Sequence, residues 1–456
     1  MKGFVIAGTS TGVGKTTITA ALLAALRARG LAVQPFKCGP DYIDPAHHAA
    51  IAGRPSYNLD TWMMSAETNR SIFWTAAQKA DVTVVEGVMG LFDGASGKTD
   101  EGSTAEIAKL LSLPVVLIVD ASNAARSVAA LIKGFCDFDP QLRILGVILN
   151  GAAGPAHFNL LRDAISSVSV PLLGSFPNVP EAVLAERHLG LITAGEKTWS
   201  AEQAAALVDA ARKHIDLDLL LANCNINAKA APAIVQAARN DDPVRIGVAR
   251  DQAFSFYYQS SLDALKAAGA ELVNISPLTD ASLPASLDGL YFGGGYPEVF
   301  ADQLADNRPF LQSLREFVAS GRPLYAECGG LMYLAETLTT LDGRTHAMAS
   351  VLPIAVEMLN HLEAFGYTEV ELLADCLVGA RGARLRGHSF HYSRITRTGD
   401  VAKRYRANQL LTGVNYDEGY CTGNVLASYI HLSFAASPEA AARFVQNCRQ
   451  AKAVAQ

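Results

Sequence analysis

The stretch FVIAGTSTGVGKTT, residues 4–17, decides the fold of the first half of the chain. Its apolar start predicts a buried strand, and the glycines after it lead into a run of helix formers that ends at Gly30. A glycine-rich turn between a strand and a helix directs backbone N–H groups at a phosphate, beside the positive end of the helix dipole. We therefore predict a phosphate-binding loop at the edge of a parallel α/β sheet.

The positions within this loop fit a nucleoside triphosphate and its metal ion. Lys15 is expected to reach the β- and γ-phosphates, and the Thr16 hydroxyl is expected to bind Mg²⁺. The spacing departs from the pattern GxxxxGK[ST], because Thr9 stands where that pattern has glycine and Gly8 precedes it. A plain glycine turn is the alternative interpretation. The predicted nucleotide-binding residues are Gly12, Gly14, Lys15, Thr16, Thr17 and Asn150, the last of which could contact an adenine edge.

Acidic side chains follow two further predicted strands of this sheet. Glu86 ends the apolar run VTVVEG, and Asp41 and Asp44 lie in the loop KCGPDYIDPAHH. Ligands bind at the carboxyl ends of parallel strands, so these carboxylates are expected near the phosphates. Either aspartate could complete the metal shell or orient a reacting group. The predicted metal ligands are Thr16, Asp44 and Glu86, and the predicted substrate-binding residues are Lys37, Asp41 and Tyr42.

Length and composition limit the classes of protein to which this chain could belong. The chain has 456 residues, of which 50% are hydrophobic and 18% charged, which predicts two or three domains and excludes global disorder. A net charge of -6 makes nucleic acid an unexpected partner. The apolar runs are too short to span a membrane. Seven scattered cysteines without a CxxC pair favour reduced thiols, and hence a cytoplasmic protein.

The pattern of strands alternating with helices predicts the domain organisation. It continues from the start of the chain to about residue 225, lapses over 226–243, and resumes at 244. We predict an α/β protein with a first domain at 1–225, a linker at 226–243 and a second domain at 244–456. After residue 366 the runs alternate more clearly, which indicates antiparallel strands.

Cys328 is the candidate nucleophile of the second domain. It lies in YAECGG, between an apolar strand and the predicted helix LMYLAETL. At such an elbow the amides of the helix are expected to lower the thiol pKa and to hold an oxyanion, and the loop GGGYPE could supply a second donor. The candidate bases are His388, His391 and His431. A buried, unreactive thiol is the alternative, and a metal pair of His388 and His391 is disfavoured because their spacing places them on opposite faces of a strand.

These motifs resemble a known family in both halves of the chain. The second half is similar to a class I glutamine amidotransferase domain of the cobyric acid synthase branch, through GGGYPE, AECGGLMYL, GHSFHYS and ASYIHL. The first half resembles the ATP-dependent ligase domain of the same family, which is similar to dethiobiotin synthetase, through GTSTGVGKTT, FKCGPDYIDP and VVEGVMGLFDG. Over nearly its whole length the chain resembles the cobyrinate a,c-diamide synthases.

The resemblance implies a P-loop ligase domain followed by a flavodoxin-like amidotransferase domain. The implied activity is ATP-dependent amidation of the a and c carboxylates of cobyrinate, a corrin of cobalamin biosynthesis, through acyl phosphates, with glutamine or ammonia as nitrogen source and Mg²⁺ as cofactor. Cys328 and His431 would be catalytic. A typical triad has a glutamate two residues after the histidine, but Ser433 stands there, so the branch is expected to use a dyad. The implied oxyanion residues are Gly294, Gly295 and Gly329.

Three alternatives stay open. The same chemistry could act on hydrogenobyrinate or nickel-sirohydrochlorin, and a cobyric acid synthase would amidate other carboxylates. A ParA-like regulatory ATPase is less favoured, because such loops carry an early lysine where this chain has Thr9. The expected partners are a cobyrinate-type corrinoid, ATP and glutamine, without nucleic acid or membrane, and a homodimer is left open.

Overall fold

The chain divides into two compact units, 1–234 and 235–456. In the computed structural model, the described residues are 1–180, 186–187, 190–191, 199–227 and 243–455. Most of the predicted linker at 226–243 lies outside the described residues, so the domain boundaries at 225 and 244 remain predictions. No helix among the described parts of the chain is long and apolar enough to cross a membrane.

The first unit is built on parallel strands with helices on both faces. Its strands are β1 (Lys2–Gly8), β2 (Val33–Cys38), β3 (Tyr57–Leu59), β4 (Val82–Gly90), β5 (Val115–Asp120), β6 (Ile144–Asn150), β7 (Leu172–Phe176), β8 (Glu186–Arg187) and β9 (Gly190–Leu191). Its helices are α1 (Lys15–Ala28), α2 (Ile43–Ala52), α3 (Ala66–Ala77), α4 (Thr104–Leu111), α5 (Ser127–Phe138), α6 (Pro155–Ile165), α7 (Ala201–His214) and α8 (Leu217–Asn223). The main sheet has the order β3-β2-β4-β1-β5-β6-β7.

Strand β1 lies at the centre of this sheet, which explains its unbroken apolar sequence. Phe4 and Ile6 point into the core cluster that contains α1 and α7, whereas Val5 and Ala7 point into the cluster on the other face. Both faces are buried, as is typical of a parallel sheet. All pairs of the main sheet are parallel, so the predicted α/β fold is confirmed. The carboxyl ends of β1, β2 and β4 are adjacent and carry the candidate ATP site.

The second unit combines parallel and antiparallel strands. Its strands are β10 (Val244–Ala249), β11 (Phe254–Phe256), β12 (Ala270–Ile275), β13 (Gly289–Phe292), β14 (Gly294–Gly295), β15 (Leu324–Glu327), β16 (Thr337–Thr339), β17 (Thr345–Ala347), β18 (Ile354–Met358), β19 (Ala364–Leu372), β20 (Arg384–His391), β21 (Ser393–Thr398), β22 (Ala402–Gln409), β23 (Asn415–Thr422), β24 (Val425–Ser428) and β25 (His431–Leu432). Its helices are α9 (Gln259–Ala267), α10 (Ala301–Asp306), α11 (Arg308–Ala319), α12 (Gly329–Leu334) and α13 (Pro438–Ala455).

The large sheet of this unit has the order β12-β10-β13-β15-β24-β23-β22-β19-β20-β25. The strands from β12 to β24 pair in parallel, and the strands from β24 to β25 pair antiparallel. The predicted change to antiparallel pairing late in the chain is therefore confirmed. The helix after Cys328 is shorter than predicted: it ends at Leu334, and the segment Thr337–Thr339, with two β-branched threonines, forms a strand instead.

Candidate active site

The phosphate loop of the first unit has the backbone that its glycines predict. Gly12 and Gly14 have φ angles of 81° and 95°, in the left-handed region that glycine adopts without strain, and Gly14 directly precedes α1. Lys15 Nζ donates to the carbonyl of Ser10 at 3.0 Å. Asn150 Nδ2 donates to the carbonyl of Val13 at 3.0 Å. Asn150 thus supports the loop, and its predicted contact with adenine remains a prediction.

The three predicted metal ligands converge on one point beside this loop. The Thr16 hydroxyl lies 3.0 Å from Glu86 Oε1 and 3.4 Å from Asp44 Oδ2. Lys37 Nζ lies 2.7 Å from Glu86 Oε1 and 3.7 Å from Asp41 Oδ2, and it also donates to Asp44. The register of the sheet explains why these side chains lie close together, because Lys37 on β2 pairs directly with Glu86 on β4.

Burial and neighbouring charges shift the pKa values of this cluster in different directions. Burial, followed by the charge of Asp41, raises the pKa of Asp44 well above its usual range, although Lys37 acts against this shift. Burial lowers the pKa of Lys37, but the carboxylates of Asp44 and Glu86 more than offset burial and hold that pKa well above its usual range. Burial raises the pKa of Glu86, but Lys37 and His48 reverse the effect and hold it well below its usual range. Burial, followed by the charge of Lys37, lowers the pKa of Lys15. The buried Glu86 carboxylate is therefore already compensated by the Lys37 ammonium group.

The donor set fits Mg²⁺ held together with a nucleotide. Two carboxylates and a hydroxyl are the oxygen ligands that Mg²⁺ prefers, and this ion commonly takes its remaining ligands from phosphates and water. In the described ranges, no group of three or more His, Cys, Asp or Glu side chains is arranged as a metal site of its own. Thr16, Asp44 and Glu86 would hold such an ion only jointly with bound phosphate.

The neighbouring predicted residues lie at the start of α2 and α1. Asp41 Oδ1 accepts from the backbone N–H groups of Ile43 and Asp44 at 2.8 and 3.1 Å, so this side chain caps the first turn of α2. Tyr42 directly precedes α2, and Thr17 lies in the first turn of α1. Substrate binding by Asp41 and Tyr42 stays a prediction.

His48 was not identified from the sequence as a partner of the acidic cluster. Its Nε2 lies 2.7 Å from Glu86 Oε2, and both side chains are buried. The available signal was its position on α2, four residues after Asp44, which places both side chains on one face of the helix. His48 thus orients Glu86 from the side opposite to Lys37.

In the second unit Cys328 occupies a strained elbow between β15 and α12. Its φ and ψ angles are 48° and -104°, a conformation that residues other than glycine rarely adopt. Its backbone N–H donates to the carbonyl of Ser428 at 2.7 Å, and Gly330 donates to the carbonyl of Gly293 at 3.0 Å. A nucleophile on a strained strand-to-helix turn is typical of acyl-transfer enzymes.

The thiol pKa contradicts one prediction made from the sequence. Burial raises the pKa of Cys328 to about 12, and the charge of Glu298 acts in the same direction. The amide of Gly329 does lower it, as expected of a helix N-terminus, but burial dominates. The predicted lowering of the thiol pKa is therefore wrong in its net direction. Burial therefore favours the neutral thiol, and a nucleophilic role for Cys328 would require a base.

The glycines predicted to form an oxyanion site lie together around this elbow. Gly294 and Gly295 form β14, which pairs with Phe254 and Phe256. A Cβ at Gly329 would lie 3.0 Å from the Gly295 nitrogen, which shows how closely the two loops approach. The backbone donors needed for an oxyanion are thus brought beside Cys328, and their role stays a prediction.

Three histidines, the buried His388 and His431 and the partly buried His391, form what we call the histidine cluster. His431 on β25 lies opposite His388 on β20, and their rings stack with centroids 5.0 Å apart. The Cε1 atom of His431 is 2.7 Å from where a Cβ of Gly294 would stand. Burial, together with His388 and His391, holds the pKa of His431 well below its usual range. His431 is therefore a neutral imidazole, able to accept a proton, beside the glycine loop.

The position two residues after His431 carries no acid, as the sequence indicated. Ser433 Oγ accepts from the Ala436 backbone N–H at 3.2 Å and caps the turn before α13. A different carboxylate lies near the imidazole: Glu327 Oε2 is 3.9 Å from His431 Nδ1. Sequence reasoning missed Glu327. The available signal was an acidic residue at the end of an otherwise apolar, fully buried strand.

Comparisons with known proteins agree with this arrangement. A model of the CobQ/CobB/MinD/ParA nucleotide binding domain matches residues 4–190, and a model of the CobB/CobQ-like glutamine amidotransferase domain matches residues 245–439.

Curated relatives match the chain from end to end. A relative from Syntrophotalea carbinolica is 45% identical over 98% of both chains. A relative from Leptospira interrogans is 41% identical over 97% of this chain and 98% of its own. A relative from Dehalococcoides mccartyi is 41% identical over 97% of each chain. All three are named cobyrinate a,c-diamide synthase. The chain carries two sites of the expected kind, and it is similar to these relatives along its full length. This chain therefore belongs to the family of cobyrinate a,c-diamide synthases.

Proposed function

We propose that this chain converts the a and c carboxylates of cobyrinate into carboxamides, with ATP as co-substrate and glutamine as nitrogen donor. The observation that carries the proposal is the identity of 45% to a cobyrinate a,c-diamide synthase over 98% of both chains. The phosphate loop and the cysteine elbow supply the two half-reactions that such an enzyme needs.

In the glutamine half-reaction, His431 accepts the Cys328 thiol proton as the sulfur attacks the side-chain amide carbon of glutamine. The glycine loop holds the oxyanion that develops. The C–N bond then breaks, and the proton on His431 passes to the leaving nitrogen, which departs as ammonia. Water hydrolyses the glutamyl thioester, and His431 accepts a proton from that water. The C–S bond then breaks, the proton on His431 returns to the sulfur, and glutamate is released as the Cys328 thiol is restored.

In the ATP half-reaction, a substrate carboxylate oxygen attacks the γ-phosphorus, and the bond to ADP breaks. The resulting acyl phosphate has a good leaving group, so ammonia attacks its carbon and inorganic phosphate departs. Lys15 and the loop amides stabilise the charge of the transferring phosphoryl group. Mg²⁺, when bound with ATP, supplies further charge neutralisation at those oxygens. Lys37 lies where it can hold a phosphate or the substrate carboxylate.

The test is mass spectrometry of products formed from ATP, Mg²⁺, glutamine and one macrocycle at a time. We expect two successive mass steps with cobyrinate, each replacing one hydroxyl by an amino group. Two steps with hydrogenobyrinate or nickel-sirohydrochlorin, and none with cobyrinate, would overturn the substrate assignment. ATP hydrolysis stimulated by DNA would instead favour the regulatory ATPase. We also propose a cytoplasmic location, supported by the seven free cysteines.

A further inference from the structure

The Glu327 carboxylate is the feature of the second unit that the proposed function does not use. It directly precedes the nucleophile in the sequence and is 1% exposed. A buried carboxylate is costly unless hydrogen bonds compensate for its lost hydration. Three donors do so: the Tyr291 hydroxyl to Oε2 at 2.7 Å, the Tyr325 hydroxyl to Oε1 at 2.7 Å and the Leu432 N–H to Oε1 at 2.9 Å.

These donors also fix the direction in which the carboxylate points. Oε1 receives two donors, from β15 and β25, whereas Oε2 receives the Tyr291 hydroxyl and faces His431 Nδ1 at 3.9 Å. The imidazole is constrained as well, because His388 stacks on its face and Gly294 lies against Cε1. His388 is itself held by the Tyr258 hydroxyl at 3.0 Å.

We propose that Glu327 is a positioning residue that acts in place of the missing third member of the triad. Its carboxylate accepts a hydrogen bond from the Nδ1–H group of His431. This inference rests on the proposed roles of Cys328 and His431. A histidine that carries its proton on Nδ1 leaves Nε2 available to accept the thiol proton. The separation of 3.9 Å has to shorten by about 1 Å, as catalytic hydrogen bonds commonly do when substrate binds.

The decisive variant is Glu327→Gln, because the donors around it dictate how a glutamine must orient. The Leu432 N–H can only donate, so it needs an acceptor at the Oε1 position. The Tyr325 and Tyr291 hydroxyls can rotate to donate or to accept, so they adapt to either orientation. The glutamine NH₂ group must then occupy the Oε2 position and donate toward His431 Nδ1. That contact stabilises the Nε2–H tautomer, which cannot accept the thiol proton.

We expect Glu327→Gln to lower the glutaminase kcat by up to about 10⁴-fold, the loss seen when a catalytic histidine is held in the wrong tautomer. The KM for glutamine should change by less than about twofold, because Glu327 does not touch the substrate. Assays belong at pH 8, since burial raises the pKa of Glu327 to about 7. Glu327→Asp keeps the charge and should recover part of the lost kcat.

Glu418→Gln is the matched control. Glu418 is also a buried carboxylate of this unit, and it accepts from the Ser428 hydroxyl and the Tyr429 N–H at 2.5 and 2.6 Å. Loss of this carboxylate in Glu418→Gln should lower the midpoint of thermal unfolding. The glutaminase kcat of this variant should stay within about threefold of the wild-type value. An equal loss of kcat in both variants would overturn the proposal, because it would mean that any buried carboxylate of the unit has this effect.

The tautomer of His431 can also be measured in the wild-type protein, which tests the proposal even if Glu327→Gln does not fold. Nitrogen-15 NMR of histidine-labelled protein at pH 8, with His431 assigned from the spectrum of His431→Asn, should show the Nδ1–H tautomer. An Nε2–H tautomer would overturn the positioning role. A Cys328→Ser variant that still hydrolyses glutamine would instead overturn the proposed function itself, so the two failures are distinguishable.

Discussion

Gly294→Ala tests whether His431 is the base, because it displaces the imidazole without changing any ionisable group. The added Cβ would lie 2.7 Å from His431 Cε1 and 3.3 Å from Phe256 atoms. Gly294 is not among the glycines with positive φ, so alanine fits the backbone there. Its N–H, the predicted oxyanion donor, is also retained in the variant. The perturbation therefore falls mainly on the imidazole, with a smaller displacement of the Phe256 side chain.

The overlap between the added Cβ and the His431 ring determines how large the loss of activity should be. Carbon atoms in contact normally lie about 3.5–4.0 Å apart, so the ring must move by about 1 Å. Its freedom is limited by His388, whose ring centroid is 5.0 Å away. Overpacking of this kind costs roughly 1–3 kcal/mol, and a displacement of about 1 Å at a reacting group lowers a rate by about 10²-fold. We expect glutamine hydrolysis to fall by that factor.

The assay compares glutamate release with ammonia-dependent amidation in the same preparation. Amidation with ammonia should stay within about twofold of wild type, since the phosphate loop belongs to the other unit. Gly134→Ala is the control: Gly134 lies in α5, and a Cβ there meets no atom within 4 Å, so both activities should be retained. Normal glutamate release by Gly294→Ala would refute the assignment of His431 as the base.

Three further substitutions separate the half-reactions. Lys15→Ala should lower amidation from either nitrogen source by at least about 10²-fold, while glutamate release persists; amidation at the wild-type rate would contradict the loop assignment. Cys328→Ser should lose glutamine-dependent amidation and keep amidation with concentrated ammonia at raised pH; normal glutamate release would exclude the thiol as nucleophile. Glu86→Gln should weaken the Mg²⁺ dependence of turnover and also lower the unfolding free energy by roughly 3–5 kcal/mol, because Lys37 and His48 lose a charged partner; unaltered metal dependence would transfer the ligand role to the nearby aspartates.

The architecture was largely predictable from local sequence. The apolar run at 4–7 and the helix after Lys15 appear as β1 and α1, because both faces of a central parallel strand are buried and glycine both precedes and follows the helix. The segment after Cys328 was harder. Its apolar residues suit a helix, but the helix ends at Leu334, and pairing of Thr337–Thr339 with β17 and β18 determines a strand. Tertiary pairing of this kind cannot be seen in a local pattern.

The candidate sites were predictable where a motif carries the chemistry, and less so where distant elements meet. Thr16, Asp44 and Glu86 converge as predicted. The approach of Glu327 to His431 depends on how β25 packs against the end of β15, which no spacing in the sequence reveals. Burial likewise reversed the expected thiol pKa, because the depth of Cys328 is a property of the folded unit.

The protonated state of Cys328 bears on how the protein withstands oxidants. Peroxides and alkylating agents react with thiolates, and a thiol with a pKa of about 12 is ionised in roughly one molecule in 10⁵ at pH 7. We therefore expect the Cys328 thiol to react slowly with oxidants, because the first step to a sulfenic acid begins from the thiolate. If Cys328 is the nucleophile, as proposed, its selectivity for glutamine would come from deprotonation during the attack on the amide carbon and not from a thiolate that is present at all times.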